Sequence, residues 1–395
     1  MKVLFFVTED WYFHSHRLPL AVAAIAKGCE VVVATRVTNH QEKIEKEGIR
    51  VVPLRRLVRS SLNPFQELCA IAELYSVVVR EKPDVIHNVA MKPVLYGSVV
   101  AMVTGVSRRI NALGGLGFVF SSQNLQARVL RRFIISLFHY LLNRRGTAVI
   151  VQNKEDYDVV TRACAVDEAR VHLIPGAGVD LNIYVPMPLA MTEPVVMLAS
   201  RMIWDKGINE FVEAAKLLRA EGVNARFVLV GKPDGENPAS VPASDLQRWG
   251  LEGAVELWGH RQDMPQTLAE ASIVCLPTYY GEGVPKVLIE AMACGRPIVT
   301  TDMAGCRELV EDGKAGLLVK PRDIESLTAA LRTLLLDHAK CKALGEEGRK
   351  LASAKYSLPM VVEGVLNLYG LGSLQTSDGG QEREGGRIGP HLLNF

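Results

Sequence analysis

The sequence lacks a large charge surplus, a long apolar run and the pattern of a signal peptide. Its 395 residues carry a formal net charge of only +2. This balance disfavours a nucleic-acid-binding protein, because such proteins use many surplus basic residues to displace counterions. No uninterrupted apolar stretch reaches the roughly 18 residues that a membrane span requires. The segment MKVLFFVTEDW combines one basic residue with a short apolar run that ends in acids, which predicts a β-strand rather than a signal peptide.

Cysteine offers no disulfide or metal-binding pattern. The seven cysteines are scattered and form no C-x-x-C motif, so we expect reduced, mostly structural thiols in a cytoplasmic protein. What the chain does have is an ordinary globular composition, 48% hydrophobic and 22% charged. Its length exceeds the roughly 250–300 residues at which a single core stops growing, so two domains are expected.

Short β-branched runs alternate with segments of helical length along the chain. The first series is KVLFFVT, EVVVAT, RVVPL, DVIHNV, RRINAL and AVIVQN, and the second is VVMLAS, ARFVLVG, VELWG, SIVCLP, PIVTT and GLLVK. Such alternation indicates parallel sheets with right-handed crossovers. The pattern therefore predicts an α/β protein with two doubly wound, Rossmann-like domains.

A proline-rich, strand-poor segment, NIYVPMPLAMTEP, separates the two series. We predict an N-terminal domain over residues 1–182, a linker over 183–194 and a C-terminal domain over 195–357. A helix over residues 358–371 is expected to cross back to the first domain. The glycine-rich, polar residues 372–395 are expected to be disordered.

The segment SIVCLPTYYGEGVPKVLIEAMACGRPIV predicts a strand, a glycine-flanked loop, a helix and the next strand. Pro285 stands where a first helical residue belongs, since its missing N–H is unsatisfied there anyway. Glu282 is then in the loop and Glu290 about one and a half turns into the helix. Free amides near Gly283 and Val284 would form an anion site at the positive end of the helix.

More positive charge follows the first strand of the second series. A helix N-terminus contributes only about 0.3–2 kcal/mol to binding an anion, whereas a charge-assisted hydrogen bond contributes roughly 1.5–3 kcal/mol. In VVMLASRMIWDKGINEF, Arg201 and Lys206 come directly after the strand. With the helix terminus they could hold a departing diphosphate without a metal ion. The alternative is that these cations are solvated turn residues, Glu282 a loop acid and Glu290 an exposed helix residue.

The combined pattern of A-S-R-x-x-x-x-K-G, then Glu, seven residues and Glu, resembles the retaining nucleotide-sugar glycosyltransferases of the GT-B fold, family 4 or group 1 type. The resemblance covers residues 1–371. It implies that Arg201 and Lys206 hold the donor diphosphate and that Glu282 contacts hydroxyls of the donor sugar. These three are the implied catalytic residues. The implied fold has two Rossmann-like domains that face a cleft.

The same resemblance implies further donor contacts. Glu290 would accept hydrogen bonds from the ribose hydroxyls, a role that suits a carboxylate because an ionised acid only accepts and a diol supplies two donors. Amides of Gly283 and Val284 would meet sugar or phosphate. The strand end LWGHRQDMP is the expected edge of the nucleobase pocket, with the backbone near Arg261 contacting the base.

The loop NALGGLGFVFSS follows the fifth strand and contains three glycines that permit close backbone approach. Many members of the family carry a histidine near this loop that contacts the donor sugar, and this sequence has none there. Amides around Gly115 would replace it. Asn111, at the start of the loop, is an expected acceptor or phosphate contact.

Two histidines follow the first strand, in TEDWYFHSHRLPLA. A pair His-x-His without a third nearby ligand is a poor metal site, so no metal is predicted. His14 and His16 could instead donate hydrogen bonds to phosphate or sugar, or simply belong to the start of a helix. Both alternatives stay open at this point.

The segment RVLRRFIISLFHYLLNRR has an apolar centre with arginines at both ends. It is either a buried helix or a helix that lies on a membrane, where apolar residues enter the interface and arginines meet anionic lipid. The segment RRLVR and the pair Arg108 and Arg109 would reinforce such a surface. Together with RSSLNPF, RMIWDKGINEF and GLGF, the chain resembles bacterial enzymes that extend glycans on undecaprenyl diphosphate, including N-acetylgalactosaminyltransferases.

The function expected from these features is transfer of a hexose or N-acetylhexosamine from a UDP-sugar, or from a sugar on another nucleotide, to a lipid-linked or saccharide acceptor. We expect no cofactor, no metal and no nucleic-acid partner, and peripheral contact with the cytoplasmic face of the membrane. The alternatives are a sugar-nucleotide 2-epimerase or hydrolase on the same fold, and a non-catalytic glycan-binding scaffold.

Overall fold

Two parallel β-sheets organise the chain. The structure, a computed structural model, describes residues 1–59, 61, 63–117, 120, 125–189, 193–310 and 313–372. The tail that we expected to be disordered lies outside the described residues from position 373 onward, and so do residues 190–192 of the expected linker. The domain boundaries themselves stay predictions.

The first sheet contains seven strands, and all of its neighbouring strands are parallel. They are β1 (Lys2–Glu9), β2 (Glu30–Arg36), β3 (Arg50–Pro53), β4 (Val85–Val89), β5 (Arg108–Ala112), β6 (Thr147–Val151) and β7 (Val171–Leu173). Their order is β3-β2-β1-β4-β5-β6-β7. All six predicted runs are confirmed. The three-residue β7 was missed because so short a run, followed at once by proline and glycine, gives no strand pattern of its own.

Helices cover both faces of this sheet. They are α1 (Asp10–His16), α2 (Leu18–Ala26), α3 (Gln41–Glu45), α4 (Pro64–Glu81), α5 (Met91–Thr104), α6 (Leu125–Leu142) and α7 (Lys154–Asp158). Successive side chains of a strand point to opposite faces. Accordingly Phe5 packs in one apolar cluster with α2, whereas Phe6 packs in another with α4 and α5.

The second sheet repeats the plan with six strands, β8 (Val195–Ala199), β9 (Arg226–Val230), β10 (Glu256–Gly259), β11 (Ile273–Leu276), β12 (Ile298–Thr301) and β13 (Gly316–Val319). Their order is β10-β9-β8-β11-β12-β13, so the second series of predicted strands is confirmed as well. The strand order reverses between β1 and β4 and between β8 and β11. In doubly wound sheets, ligands bind at such reversals, beyond the carboxyl ends of the strands.

The helices of the second domain again lie on both faces of their sheet. They are α8 (Ile208–Ala220), α9 (Ala243–Leu251), α10 (Met264–Glu270), α11 (Lys286–Ala293), α12 (Ala304–Arg307), α13 (Ile324–Leu336) and α14 (His338–Lys355). One apolar cluster joins α8 and α13 to the sheet, and a second joins α10 and α11 to its other face. The predicted fold of two doubly wound domains is confirmed.

The last described helix, α15 (Leu358–Tyr369), returns to the first domain, as predicted. Val361, Leu366 and Tyr369 are buried in the same cluster as β1 and α2. The buried Tyr369 hydroxyl forms a hydrogen bond with Nδ1 of His87 on β4. At the crossing point the amide of Leu358 donates to the carbonyl of Val179 at 2.9 Å, so the two passages of the chain between the domains are hydrogen-bonded to each other.

Replacing Leu366 by alanine should destabilise the N-terminal domain, although Leu366 lies far from that domain in sequence. The side chain is only 5% exposed, and buried Leu→Ala changes cost about 2–5 kcal/mol of the free energy of unfolding. Met360 lies in the same helix with 41% of its surface exposed, so Met360→Ala is the matched control, with an expected change within about 0.5 kcal/mol. Urea unfolding measures both, and equal effects would contradict this packing.

Candidate active site

Lys206 and Glu282 meet where β8 and β11 end. The Lys206 Nζ donates to Oε2 of Glu282 at 2.5 Å, and the two side chains are only 11% and 17% exposed. Lys206 ends a short 3₁₀ turn, Trp204–Lys206. The turn closes at Gly207, where φ is +76° and a Cβ atom would lie 2.2 Å from the Pro277 carbonyl oxygen. Only glycine allows the β8 loop to pack this closely on the end of β11.

Thr278 fixes the other oxygen of Glu282. Its Oγ1 lies 2.9 Å from Oε1 of Glu282 and 3.0 Å from the carbonyl oxygen of Asp205. One hydroxyl hydrogen can be donated to only one of these acceptors at a time. The amide of Tyr279 also donates to the Asp205 carbonyl, at 2.9 Å. The loops after β8 and β11 are therefore bound to each other around the Glu282 carboxylate.

Glu290 lies on α11 and is 5% exposed, so the alternative of an exposed helix residue is wrong. Its Oε1 accepts from the Tyr184 hydroxyl at 2.7 Å and from Nζ of Lys286 at 3.0 Å. Burial, with the nearby Glu290 charge, raises the pKa of Tyr184, which stays a hydroxyl donor. The helix begins at Lys286, with Pro285 as its N-cap rather than its first residue.

The amides of Gly283 and Val284 are not free, which corrects our expectation. The Gly283 amide donates to the carbonyl of Gly114 at 3.1 Å, and the Val284 amide donates to Oε1 of Gln152 at 2.8 Å. Both acceptors belong to the first domain. Gln152 was not predicted as a site residue, although its position directly after β6 could have indicated that it faces the cleft.

Glycines make this contact between the two domains possible. Gly115 has a φ of +104°, and a Cβ atom there would lie 2.5 Å from the Gly283 amide nitrogen. From the opposite side, a Cβ atom on Gly305 would lie 1.2 Å from the Gly283 carbonyl oxygen. The loop that carries Glu282 is therefore enclosed between backbone of the first domain and backbone of α12.

Arg201 lies apart from the Lys206–Glu282 pair, in a second ion pair at the end of β8. Its Nη1 donates to Oδ2 of Asp234 at 2.6 Å. The same oxygen accepts from Nη2 of Arg59, in the first domain, at 2.7 Å. The guanidinium carbon also lies 6.0 Å from the ring centroid of Trp11 on α1. Arg59 and Asp234 were not among the predicted site residues.

On the first-domain side, Asp10 organises the segment after β2. Its carboxylate accepts hydrogen bonds from the amides of Thr38, Asn39 and His40 and from the Thr38 hydroxyl. Burial opposes the charged form of Asp10, but these hydrogen bonds outweigh it and lower its pKa. A fixed negative charge therefore holds the loop beside α1.

His14 and His16 are both half-buried on α1 and do not contact the Lys206–Glu282 pair. His14 packs against His40, with ring centroids 5.0 Å apart, and His16 stacks on Tyr12 at 4.2 Å. Burial lowers the pKa of each histidine, and the Lys286 charge adds to this effect at His16. Within the described ranges, no three His, Cys, Asp or Glu side chains are grouped so that they could hold a metal ion.

Two other predicted residues are not brought to this centre. Asn111 is fully buried in β5, where its Oδ1 accepts from Nδ2 of Asn88 at 2.8 Å and from the Ser98 hydroxyl at 3.2 Å. This position inside the sheet excludes the contact that we expected between Asn111 and a phosphate or the glycosyl acceptor. Arg261 follows the edge strand β10, and its side chain forms a bidentate ion pair with Asp263.

Comparison with known proteins gives the class of the molecule. Residues 2–153 match the family described as "Glycosyl transferase 4-like", and residues 193–337 match "Glycosyl transferases group 1". Anabaena HepE, solved in complex with UDP and glucose, has the same fold with a TM-score of 0.74, 21% identity, and coverage of 94% of this chain and 99% of that chain. WaaG, described as a glycosyltransferase involved in lipopolysaccharide biosynthesis, superposes with a TM-score of 0.68 at 17% identity, covering 91% and 97%.

The two domains and their arrangement are thus those of the GT-B fold. A relative from Campylobacter jejuni, an N,N'-diacetylbacillosaminyl-diphospho-undecaprenol alpha-1,3-N-acetylgalactosaminyltransferase, is 27% identical over 382 residues, which are 93% of this chain and 98% of that protein. An Escherichia coli UDP-Gal:alpha-D-GlcNAc-diphosphoundecaprenol alpha-1,3-galactosyltransferase is 24% identical over 298 residues, 72% and 74% of the two chains. Residues 193–337 thus form a group 1 glycosyltransferase domain, and residues 2–153 form a glycosyltransferase 4-like domain.

Proposed function

We propose that the chain is a retaining, metal-independent transferase that moves a hexose or N-acetylhexosamine from a UDP-sugar to a lipid-linked or saccharide acceptor in glycan assembly. The observation that carries this proposal is the Lys206–Glu282 pair at the strand-order reversal of the second domain. It puts a cation for phosphate and a carboxylate for sugar hydroxyls side by side. The Campylobacter and Escherichia relatives, whose names describe acceptors on diphosphoundecaprenol, support the choice of acceptor.

Each site residue has a role along the donor. Lys206, Arg201 and the N-terminus of α11 supply positive charge to the diphosphate. Glu282 would receive hydrogen bonds from the sugar hydroxyls, while Lys206 and Thr278 hold its carboxylate. Glu290 would bind the ribose through Oε2, since Tyr184 and Lys286 both contact Oε1. The backbone after β10, near Arg261, would contact the base.

The proposed reaction proceeds on one face of the sugar. The bond from the anomeric carbon to the diphosphate oxygen breaks, the acceptor oxygen bonds to that carbon from the same side, and the departing oxygen takes the acceptor proton. Stabilising the charge that develops on the diphosphate is the main contribution of the protein. Glu282 is a poor nucleophile because its two oxygens are bound to Lys206 and Thr278.

A panel of nucleotide sugars, offered with and without an undecaprenyl-diphosphate-linked saccharide, tests this function. We expect nucleotide release that requires the acceptor and that EDTA leaves unchanged, because the positive charge comes from side chains and the helix. Epimer formed without acceptor would indicate a 2-epimerase, and free sugar would indicate a hydrolase. If no nucleotide sugar is consumed, the proposal is wrong.

Arg201→Ala should lower kcat by about 100-fold or more, because removing one group that stabilises developing charge has an effect of that order. Arg332→Ala is the matched control. Arg332 pairs with Glu221 on the surface of the second domain, and its loss should leave kcat unchanged. Circular dichroism would show that both variants are folded. Near-normal turnover in the folded Arg201→Ala variant would contradict the proposed role of Arg201 at the diphosphate.

The outer surface of α4, α5 and α6 supports a peripheral membrane contact. These helices pack side by side on the same face of the first sheet. Ile134 and Phe138 on α6 are buried, whereas Phe133 is 65% exposed, so the buried-helix alternative accounts for only one face of this helix. Among the described side chains, the exposed large apolar residues of the three helices are Phe65, Leu68, Tyr75, Val79, Met102, Val103, Val129, Leu130, Phe133 and Tyr140.

Basic groups flank this apolar surface. Arg55 and Arg56 precede α4, and Arg128 and Arg132 lie exposed on α6. By contrast, the guanidinium groups of Arg108 and Arg109 donate to backbone carbonyls at the amino end of β5, so they do not join this surface. A protein surface of exposed apolar side chains surrounded by arginines suits contact with a membrane that contains anionic lipid. Within the described residues, no helix has the length and apolar character to cross a membrane.

Replacing Phe65 and Phe133 together by serine should weaken binding to phosphatidylglycerol vesicles by roughly 10-fold or more, because burying one phenylalanine side chain is worth about 1.5–3 kcal/mol. Leu251→Ser is the control, since Leu251 is 90% exposed on α9 of the other domain. Vesicle sedimentation measures the binding. The same affinity for both variants would argue against this surface.

A further inference from the structure

Asp234 joins one arginine from each domain. Its Oδ2 accepts from Arg201 at 2.6 Å and from Arg59 at 2.7 Å, while the Asp234 side chain is only 14% exposed. Burial opposes the charged form of Asp234, but the two guanidinium groups outweigh it and lower its pKa. Two positive groups, one from each domain, therefore converge on one negative oxygen.

The loop that presents Arg59 is braced on both sides of this residue. The Lys92 Nζ donates to the carbonyls of Val58 and Ser61, each at 2.9 Å. Glu73 accepts the amides of two earlier residues of the loop, and Leu57 is buried. The backbone on both sides of Arg59 is thus fixed by contacts that are independent of Asp234, so this loop need not become ordered when Arg59 binds an anion.

The Asp234 loop is tied to the segment that carries Arg201. The amide of Met202 donates to the carbonyl of Lys232 at 3.0 Å, and the amide of Trp204 donates to that of Ala239 at 2.8 Å. These bonds fix both ends of the loop against the end of β8. In the part of the chain that the structure describes, the hydrogen bonds to the Asp234 carboxylate come from the two arginines.

We propose that Arg59 binds the diphosphate of the donor together with Arg201, and that Asp234 occupies the place of a phosphate oxygen until the diphosphate displaces it. The inference rests on the proposed function, in which Arg201 meets this diphosphate. Two guanidinium groups that converge on one oxygen are arranged as they are around phosphate. A diphosphate brings two or more negative charges where Asp234 brings one, so it neutralises both arginines more fully.

The consequence is that the N-terminal domain contributes directly to donor binding. A diphosphate could also reach these arginines from the lipid-linked acceptor, since the Arg59 loop leads into α4 and its exposed apolar residues. The chemistry of the ligand is the same in both cases. Separate measurements with UDP and with the acceptor distinguish them.

The test compares Arg59→Gln, Arg59→Lys and Asp234→Asn with the wild type in UDP binding by calorimetry and in KM for donor and acceptor. Glu236→Gln is the matched control. Glu236 lies in the same loop as Asp234 and pairs with Arg36 across the cleft, so this variant removes a carboxylate and an interdomain ion pair without touching Arg201. Thermal unfolding confirms that each variant is folded.

We expect Arg59→Gln to weaken UDP binding by roughly 10- to 100-fold, as the loss of one charge-assisted hydrogen bond implies. Arg59→Lys should restore part of this affinity. Asp234→Asn should bind UDP several-fold more tightly, because the competing negative charge is gone. Glu236→Gln should match the wild type.

Three results would overturn the inference. Unchanged UDP affinity in Arg59→Gln, with a raised KM for the acceptor, would assign Arg59 to the acceptor. Equal weakening by Asp234→Asn and Arg59→Gln would make Asp234 a structural anchor, and equal weakening by Glu236→Gln would show a general effect of domain contact. If the wild type itself binds no UDP, the proposed function fails, and that outcome is distinct from the other three.

Discussion

The ion pair between Lys206 and Glu282 is the contact on which the rest of the site depends. A lysine and a carboxylate that are mostly removed from water must be paired, because an unpaired buried charge is strongly destabilising. The pair joins the loops that follow β8 and β11, and Thr278 adds a neutral donor on the opposite side of the carboxylate. The contact between Lys206 and Glu282 is therefore made within the second domain.

The first domain adds hydrogen-bond acceptors for the backbone of the Glu282 loop and a positive charge that is distant in sequence. Gly114 and Gln152 accept the two amides at the end of the Glu282 loop, and Arg59 reaches Asp234 from the opposite side of the cleft. Glycine is needed on both surfaces, because a Cβ atom at Gly115 would collide with Gly283. The contact between the domains thus combines backbone around Gly115 and Gly283 with the side chain of Gln152, and the pair of Arg59 and Asp234 adds charge.

The features of the fold and site that depend on local sequence pattern could be predicted from the sequence. Twelve strands, the returning helix and the neighbouring positions of Lys206 and Glu282 follow from β-branched runs, a proline and one spacing motif. The sequence was insufficient where partners lie far apart in the chain. Nothing near Gly283 indicates that its amide meets Gly114, and nothing near Arg201 indicates Asp234 and Arg59. Asn111 was misplaced because the end of a strand does not reveal which face of the sheet its last residues occupy.

The paired crossings of the chain at Val179 and Leu358 have a consequence for motion. The two chain segments are hydrogen-bonded side by side, so they resist sliding of one domain past the other. Rotation of the domains about the direction along which these segments run meets the least resistance. We therefore expect the cleft to open as a hinge. For a given rotation, interdomain contacts far from this axis are displaced more than contacts near it. The distance of each contact from the axis therefore sets the order in which the contacts separate.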